Sequence, residues 1–359
     1  MALLNTSFFD YGNTRLRARL SHRLSVRTLE RLSESANIEG FLSALSKTPY
    51  QSVVAEAYAT SEGLDCAENA LVIDMVNNAE DLKKYYSDKS AEYLRLILNR
   101  YDLMNVMVIL KGLIHHLASE EIKRSLVLMG IIPKAVLTTL AESSNVTDAI
   151  NKMVSFQLPY VLPLMQFLRE KKAVSSENIN RVLRQWYYRD LFLQLNLMRD
   201  ENAQILAEQI RTEIDCFNLL TVIRWVIMRN NNKLVIKQLI LEMINGGHLP
   251  IKKLEQAANN STLKEMILSL RTSPYYSFLN QALLEYDQNK QISSFENAFD
   301  AYQVKNQVRL VKSNPLGIGV PIGFLAYKNA EICNLRWIAY GIHFGFEPQT
   351  IKNGIQREL

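Results

Sequence analysis

Three pairs of residues have types and spacing suited to chemistry: Asp102 with Asn105, Asp215 with Asn218, and Glu331 with Asn334. Residues three apart share one face of a helix, so each pair sets a carboxylate beside a carboxamide. Such a pair can hold a polar ligand. It can also satisfy backbone groups where helices meet. General acid–base work is a third use, but it needs a buried or coupled carboxyl, and the sequence marks none. The pairs recur at one point of a longer pattern, which favours packing over a binding site used three times. Asp10 with Asn13 is a weaker fourth copy that runs into arginines.

Other chemistries find little support. Gly317-Ile-Gly319-Val-Pro321-Ile-Gly323 misses the dinucleotide fingerprint by one residue and lacks a βαβ setting. No Gly-x-x-x-x-Gly-Lys occurs. His22, His115, His116, His248 and His343 form no His-Glu-x-x-His, and adjacent helical histidines point about 100° apart. Cys66, Cys216 and Cys333 form no Cys-x-x-Cys, so reduced thiols are expected, with neither disulfide nor zinc. No nucleophile elbow or Ser/His/Asp set assembles. The expectation is a protein without intrinsic catalysis, metal or cofactor.

The elements that must position the three pairs repeat with them. The pairs begin at 102, 215 and 331, and a recurring period decides the fold before other signals do. Ahead of them come Pro49-Tyr50, Pro159-Tyr160 and Pro274-Tyr275, each opening an apolar run of helical period with Pro in the first turn. Next stand Glu68-Asn69, Glu177-Asn178 and Glu296-Asn297. Behind them come Gly130-Ile-Ile-Pro133, Gly247-His-Leu-Pro250 and Gly345-Phe-Glu-Pro348, which read as a left-handed helix stop followed by a helix start. Leu24-Ser25 holds that place after the N-terminal copy, with Ser25 as N-cap.

The expected fold is all-α, with three multi-helix repeats of roughly 115 residues. The repeats are 1–129 with an extra N-terminal helix, 130–246, and 247–359 with a closing helix. Only 13 Gly and 9 Pro in 359 residues argue for long helices. Residues 91–118 show one broad apolar face, and 134–158 alternate at helical spacing. The Gly/Pro-rich stretch 308–327 is expected to be a loop. No secretory signal is expected at the N-terminus, and no run reaches the roughly 18 apolar residues of a spanning helix.

Arg15, Arg19, Arg23, Arg27 and Arg31 follow one another at intervals of four. The first three make a basic stripe, either a solvated face or a contact for an acidic partner, lipid headgroups or nucleic acid. No aromatics interleave it. The net charge of +5 permits an acidic partner without requiring one.

The C-terminal 45 residues resemble a known family. Asn314-Pro-Leu-Gly-Ile-Gly-Val-Pro-Ile-Gly-Phe-Leu-Ala-Tyr327, then Glu331-Ile-Cys-Asn334-Leu-Arg336-Trp, then Ile351 through Gln356-Arg357-Glu358-Leu359, are similar to the end of the C subunit of A/V-type rotary ATPases. In eukaryotic vacuolar proton pumps that protein is called the d subunit. Tyr11-Gly-Asn13-Thr-Arg15-Leu-Arg17-Ala resembles the family's opening helix. The resemblance implies a funnel of three helical domains about a pseudo-threefold axis. It implies a non-catalytic socket, peripheral on the cytoplasmic face of a membrane, joining the central stalk to the proteolipid ring for proton or ion transport. Arg336 is peculiar to the last copy, since Met107 and Leu220 hold that place elsewhere. With Arg15, Arg19 and Arg23 it is a candidate partner contact. The alternatives are a free-standing helical-repeat scaffold and a basic helical nucleic-acid binder.

Overall fold

A computed structural model describes residues 7–169, 175–229 and 236–356, and among these there is no strand. Two compact units divide the chain: Met1–Ile97 with Val304–Leu359, and Leu98–Gln303. No described helix is long and apolar enough to cross a membrane.

In the first unit, residues from both chain ends make one core. Leu29, Phe41, Leu42, Val54 and Leu71 pack with Leu335, Ile338 and Ile351, all at most 1 % exposed. The short N-terminal helices hold their ends by capping. Ser25 accepts from the Thr28 amide at 3.1 Å and Asn37 from the Gly40 amide at 2.8 Å. The last main helix, Gly319–His343, is buried around much of its first three turns.

That helix corrects the expected loop at 308–327. Helix Ser293–Ser313 runs deep into the stretch, and only about five residues intervene before Gly319. Pro321 falls in the first turn, where a missing N–H leaves nothing unpaired. Gly319 and Gly323 serve close packing. A Cβ on Gly319 would lie 2.5 Å from the Leu310 carbonyl oxygen, and one on Gly323 2.3 Å from the Val311 side chain.

In the second unit the long helix Glu201–Arg229 buries Leu219, Val222, Ile223 and Val226 against Leu254, Met266, Leu279 and Phe295. The helical spacing at 134–158 is taken up by two helices, Lys134–Ala141 and Val146–Ser155, with Asn145 capping the second through the Asp148 amide. Met104, placed on the apolar face of 91–118, is 45 % exposed, while its neighbours Leu103 and Val106 are buried.

Two sequence rules need correction here. The prolines of the Pro-Tyr phrases stand just ahead of their helices, with Tyr50, Tyr160 and Tyr275 directly before the first helical residue. All three tyrosines are at most 2 % exposed. Among the Gly-x-x-Pro glycines, only Gly345 is a left-handed stop, at φ 71°. Gly130 and Gly247 do not have positive φ, and their reason lies in the site.

Candidate functional site

The helix Asp88–Ile114 presents Asp102 and Asn105 on one face, both 1 % exposed. Asn105 pairs with Val127 as one peptide pairs with another. Its amide nitrogen donates to the Val127 carbonyl, and its oxygen accepts the Val127 amide, both at 2.8 Å. Asp102 accepts the amides of Ile131 and Ile132 at 2.8 and 3.0 Å. A Cβ on Gly130 would lie 1.9 Å from Asp102 Oδ1, so glycine is required for the loop to come this close. Tyr160 donates to Asn99 Oδ1 at 3.0 Å, one turn before Asp102.

Asp215 and Asn218 repeat the arrangement in Glu201–Arg229, fully buried. Asn218 exchanges two 2.8 Å hydrogen bonds with Ile244. Asp215 accepts the amides of His248 and Leu249, each at 3.0 Å, and the Tyr275 hydroxyl at 2.7 Å. A Cβ on Gly247 would sit 2.1 Å from Asp215 Oδ1. Burial first, then the hydrogen bond to Asp215, holds the Tyr275 phenol well above its ordinary range.

Glu331 and Asn334 form the third hub with different partners. Asn334 pairs with Gln356, accepting its amide at 2.8 Å and donating to its carbonyl at 3.1 Å. Glu331 Oε2 accepts the Leu24 amide at 2.7 Å. Its Oε1 accepts the Tyr50 hydroxyl and the Lys328 ammonium, both at 2.8 Å. Lys328 also stands 3.0 Å from Asp74 Oδ2 as an ion pair, without the alignment of a hydrogen bond. Burial works against the Lys328 charge, but Glu331 and Asp74 outweigh it and hold its pKa above the ordinary value. The Tyr50 phenol is pushed far up by burial, then by Glu331 and Asp74.

Chemically these hubs are saturated. Asp102 and Asp215 are each occupied by two main-chain amides, Glu331 by one amide, a phenol and an ammonium, and each carboxamide by a full peptide unit. Among the described residues no group of three or more ligating side chains is placed to hold a metal ion.

The arginines lie apart from one another in role. Arg15 is exposed over the Tyr11 ring at 5.3 Å. Arg19 pairs with Asp81, donates to Asn78 Oδ1 at 3.0 Å and lies over Tyr85. Arg23 lies 4.8 Å over Tyr327. The basic stripe therefore does have aromatic partners. Tyr85 and Tyr327 come from distant helices, where an inspection of the stripe itself does not find them. Arg336 Nε donates to both Glu68 oxygens, at 2.9 and 3.0 Å. In the second unit Arg224 plays a matching part toward Glu296 at 2.6 Å.

The residues missed from sequence are Lys328 and Asp74. A weak signal existed for each. Lys328 is one turn from Glu331, and Asp74 lies at helical spacing between Leu71 and Asn78, both buried.

Comparison with known proteins bears on all three hubs together. Residues 12–354 match the family model described as ATP synthase (C/AC39) subunit. The chain is 25% identical over 345 residues to the C subunit of the A-type ATP synthase of Thermococcus kodakarensis, covering 96% of this chain and 89% of that one. It is 27% identical over 330 residues to the protein of that name from Methanobrevibacter smithii, covering 90% and 81%. For that of Methanococcoides burtonii the figures are 26% over 358 residues, with 97% and 94% covered.

Proposed function

The chain belongs to the ATP synthase (C/AC39) subunit family, and from that premise we propose that it is the central-stalk socket of an A/V-type rotary ATPase. It is a non-catalytic subunit of such a complex and has its partners there. In the proposed role it sits peripherally on the cytoplasmic face of the membrane. It receives the central stalk and passes rotation to the proteolipid ring, coupling ATP turnover to proton or ion transport.

The observation that carries this reading is the trio of hubs. We infer three repeats, 1–129, 130–246 and 247–359, disposed as a funnel about a pseudo-threefold axis. Asp102, Asn105, Asp215, Asn218, Glu331 and Asn334 act as their packing positions. Each pair ties its helix to the start of the next helical run, and Glu331 ties the last helix to the first run through Leu24. Helical units that each need a neighbour make a stiff body, and a torque-bearing part has to be stiff. Arg15 and Arg23, exposed at the N-terminal end, are the proposed partner contacts of the basic stripe. Arg19 and Arg336 are already engaged by Asp81 and Glu68, so their share in any contact is smaller.

Affinity purification of the chain from its host, with identification of what accompanies it, tests the proposal. Stalk and proteolipid subunits are expected. Their absence would favour a free-standing scaffold, and recovery of nucleic acid in a salt-dependent manner would favour the basic binder.

A further inference from the structure

A cavity of about 460 Å³ opens beside the Glu331 hub. It lies wholly in the first unit, and the packing of the hubs does not account for it. Its floor is Tyr50, Asp74, Lys328 and Glu331. Those four are bonded to one another, with two carboxylates to one ammonium. The floor therefore repels an anion. One wall is apolar, built from Leu20, Val53 and Phe324.

The rim is mixed, with Arg19, Arg23 and Lys84 beside Glu80 and Asp81. Asp81 is taken by Arg19, and Glu80 is held at 2.8 Å by Lys83, which lies outside the lining. Arg19, Lys83 and Lys84 all stand in the last turns of their helices, near the carbonyl ends. Lys84, 70% exposed, is only loosely placed at 3.8 Å from Asp81, which already holds Arg19. Arg23 is exposed, and the face of Tyr327 is its partner among the described residues. Its guanidinium edge is thus steadied by the ring while its N–H fork is open. A fork of this kind suits bidentate capture of phosphate.

We propose that this cavity binds an organic phosphate, its anion at Arg23 and Lys84 and an uncharged, apolar body against Leu20, Val53 and Phe324. The charge pattern sets the orientation. A negatively charged body would be repelled by Asp74 and Glu331, whereas a neutral one fills the apolar wall. A soluble phosphate ester and a lipid headgroup share this chemistry.

Calorimetric titration of the full chain with phenyl phosphate tests the soluble source. Co-sedimentation with phosphatidylglycerol vesicles, against phosphatidylcholine vesicles, tests the lipid source. Saturable binding of either probe is expected, weakened about tenfold or more by Arg23→Gln and by Lys84→Met. Both residues are exposed, so the variants should fold, and unchanged melting checks this. Lys312→Met, an exposed change outside the cavity in the same unit, should leave binding intact. Any of the following results would overturn the proposal. One is no binding of either probe. Another is equal weakening by Lys312→Met, or none by the cavity variants. The third is inorganic phosphate binding as tightly as phenyl phosphate.

Discussion

Asp215, in the second unit, and Glu331, in the first, cap the start of a helical run in two different ways. Asp215 is short, so the loop must come to it, and Gly247 leaves the room. Leu249 and Leu24 hold matching places, each directly before an N-cap, Pro250 or Ser25. The position of Gly247 is then taken by His22. Glu331 is one methylene longer, reaches a more distant loop and holds one amide instead of two. Its freed oxygen takes Tyr50 and Lys328. The same main-chain task is met once by a bare carboxylate in a tight loop and once by an ionic cluster beside a cavity.

The comparison breaks most visibly at Asp215. Asp215→Ala leaves the buried Leu249 amide, the half-buried His248 amide and a phenol without acceptors, and should cost about 3–5 kcal/mol, read as a fall in the midpoint of denaturant unfolding. Lys328→Met should cost less, about 2–3 kcal/mol, because its hub borders a cavity that admits water. The double change Lys328→Met with Asp74→Asn should recover part of that loss. Equal costs for the Asp215 and Lys328 variants would mean that the two hubs do not differ as described.

Glycine sharpens the contrast at a smaller scale. Gly247→Ala drives a methyl into Asp215 and should cost about 1–3 kcal/mol. Gly345→Asn, in open space at positive φ, should stay within about 0.5 kcal/mol because Asn tolerates a left-handed helix end. Thermal melts of the two variants, side by side, distinguish crowding from backbone conformation.

High pH should weaken both regions. Tyr50, Tyr275 and Lys328 hold their protons more tightly in the fold than when unfolded. Each therefore contributes stability that is whole below its unfolded pKa near 10. That stability is lost as pH rises above it. Of the two hubs only that of Glu331 adds an ammonium to this loss, so Lys328→Met should flatten part of the alkaline decline. The smallest effect is expected at Arg15→Glu, exposed and, among the described residues, paired with the Tyr11 ring. Stability should move by less than about 0.5 kcal/mol, while attachment to the membrane sector, followed by co-purification, loosens.

Much of this is legible in the chain. The acid and Asn three apart and the N-cap at Ser25 are local patterns, and local patterns survive in sequence. Gly130 and Gly247 are visible too, but their reason is not. A clash with Asp102 or Asp215 involves partners about thirty residues away, so spacing alone suggests a helix stop. Gly319, Pro321 and Gly323 read as a loop for a similar cause. Residues that break an isolated helix are accepted in a first turn or where a neighbouring helix presses close. Lys328 with Asp74, and Arg23 with Tyr327, join chain segments some hundreds of residues apart, and no pattern along the chain announces such a meeting.

The central claim is coupling, and the membrane-bound complex tests it directly. The chain is depleted from the complex, and ATP hydrolysis and ion transport are measured together before and after adding it back. Hydrolysis is expected to persist while transport is lost, and readdition to restore transport. Transport that continues undiminished without the chain would contradict the claim.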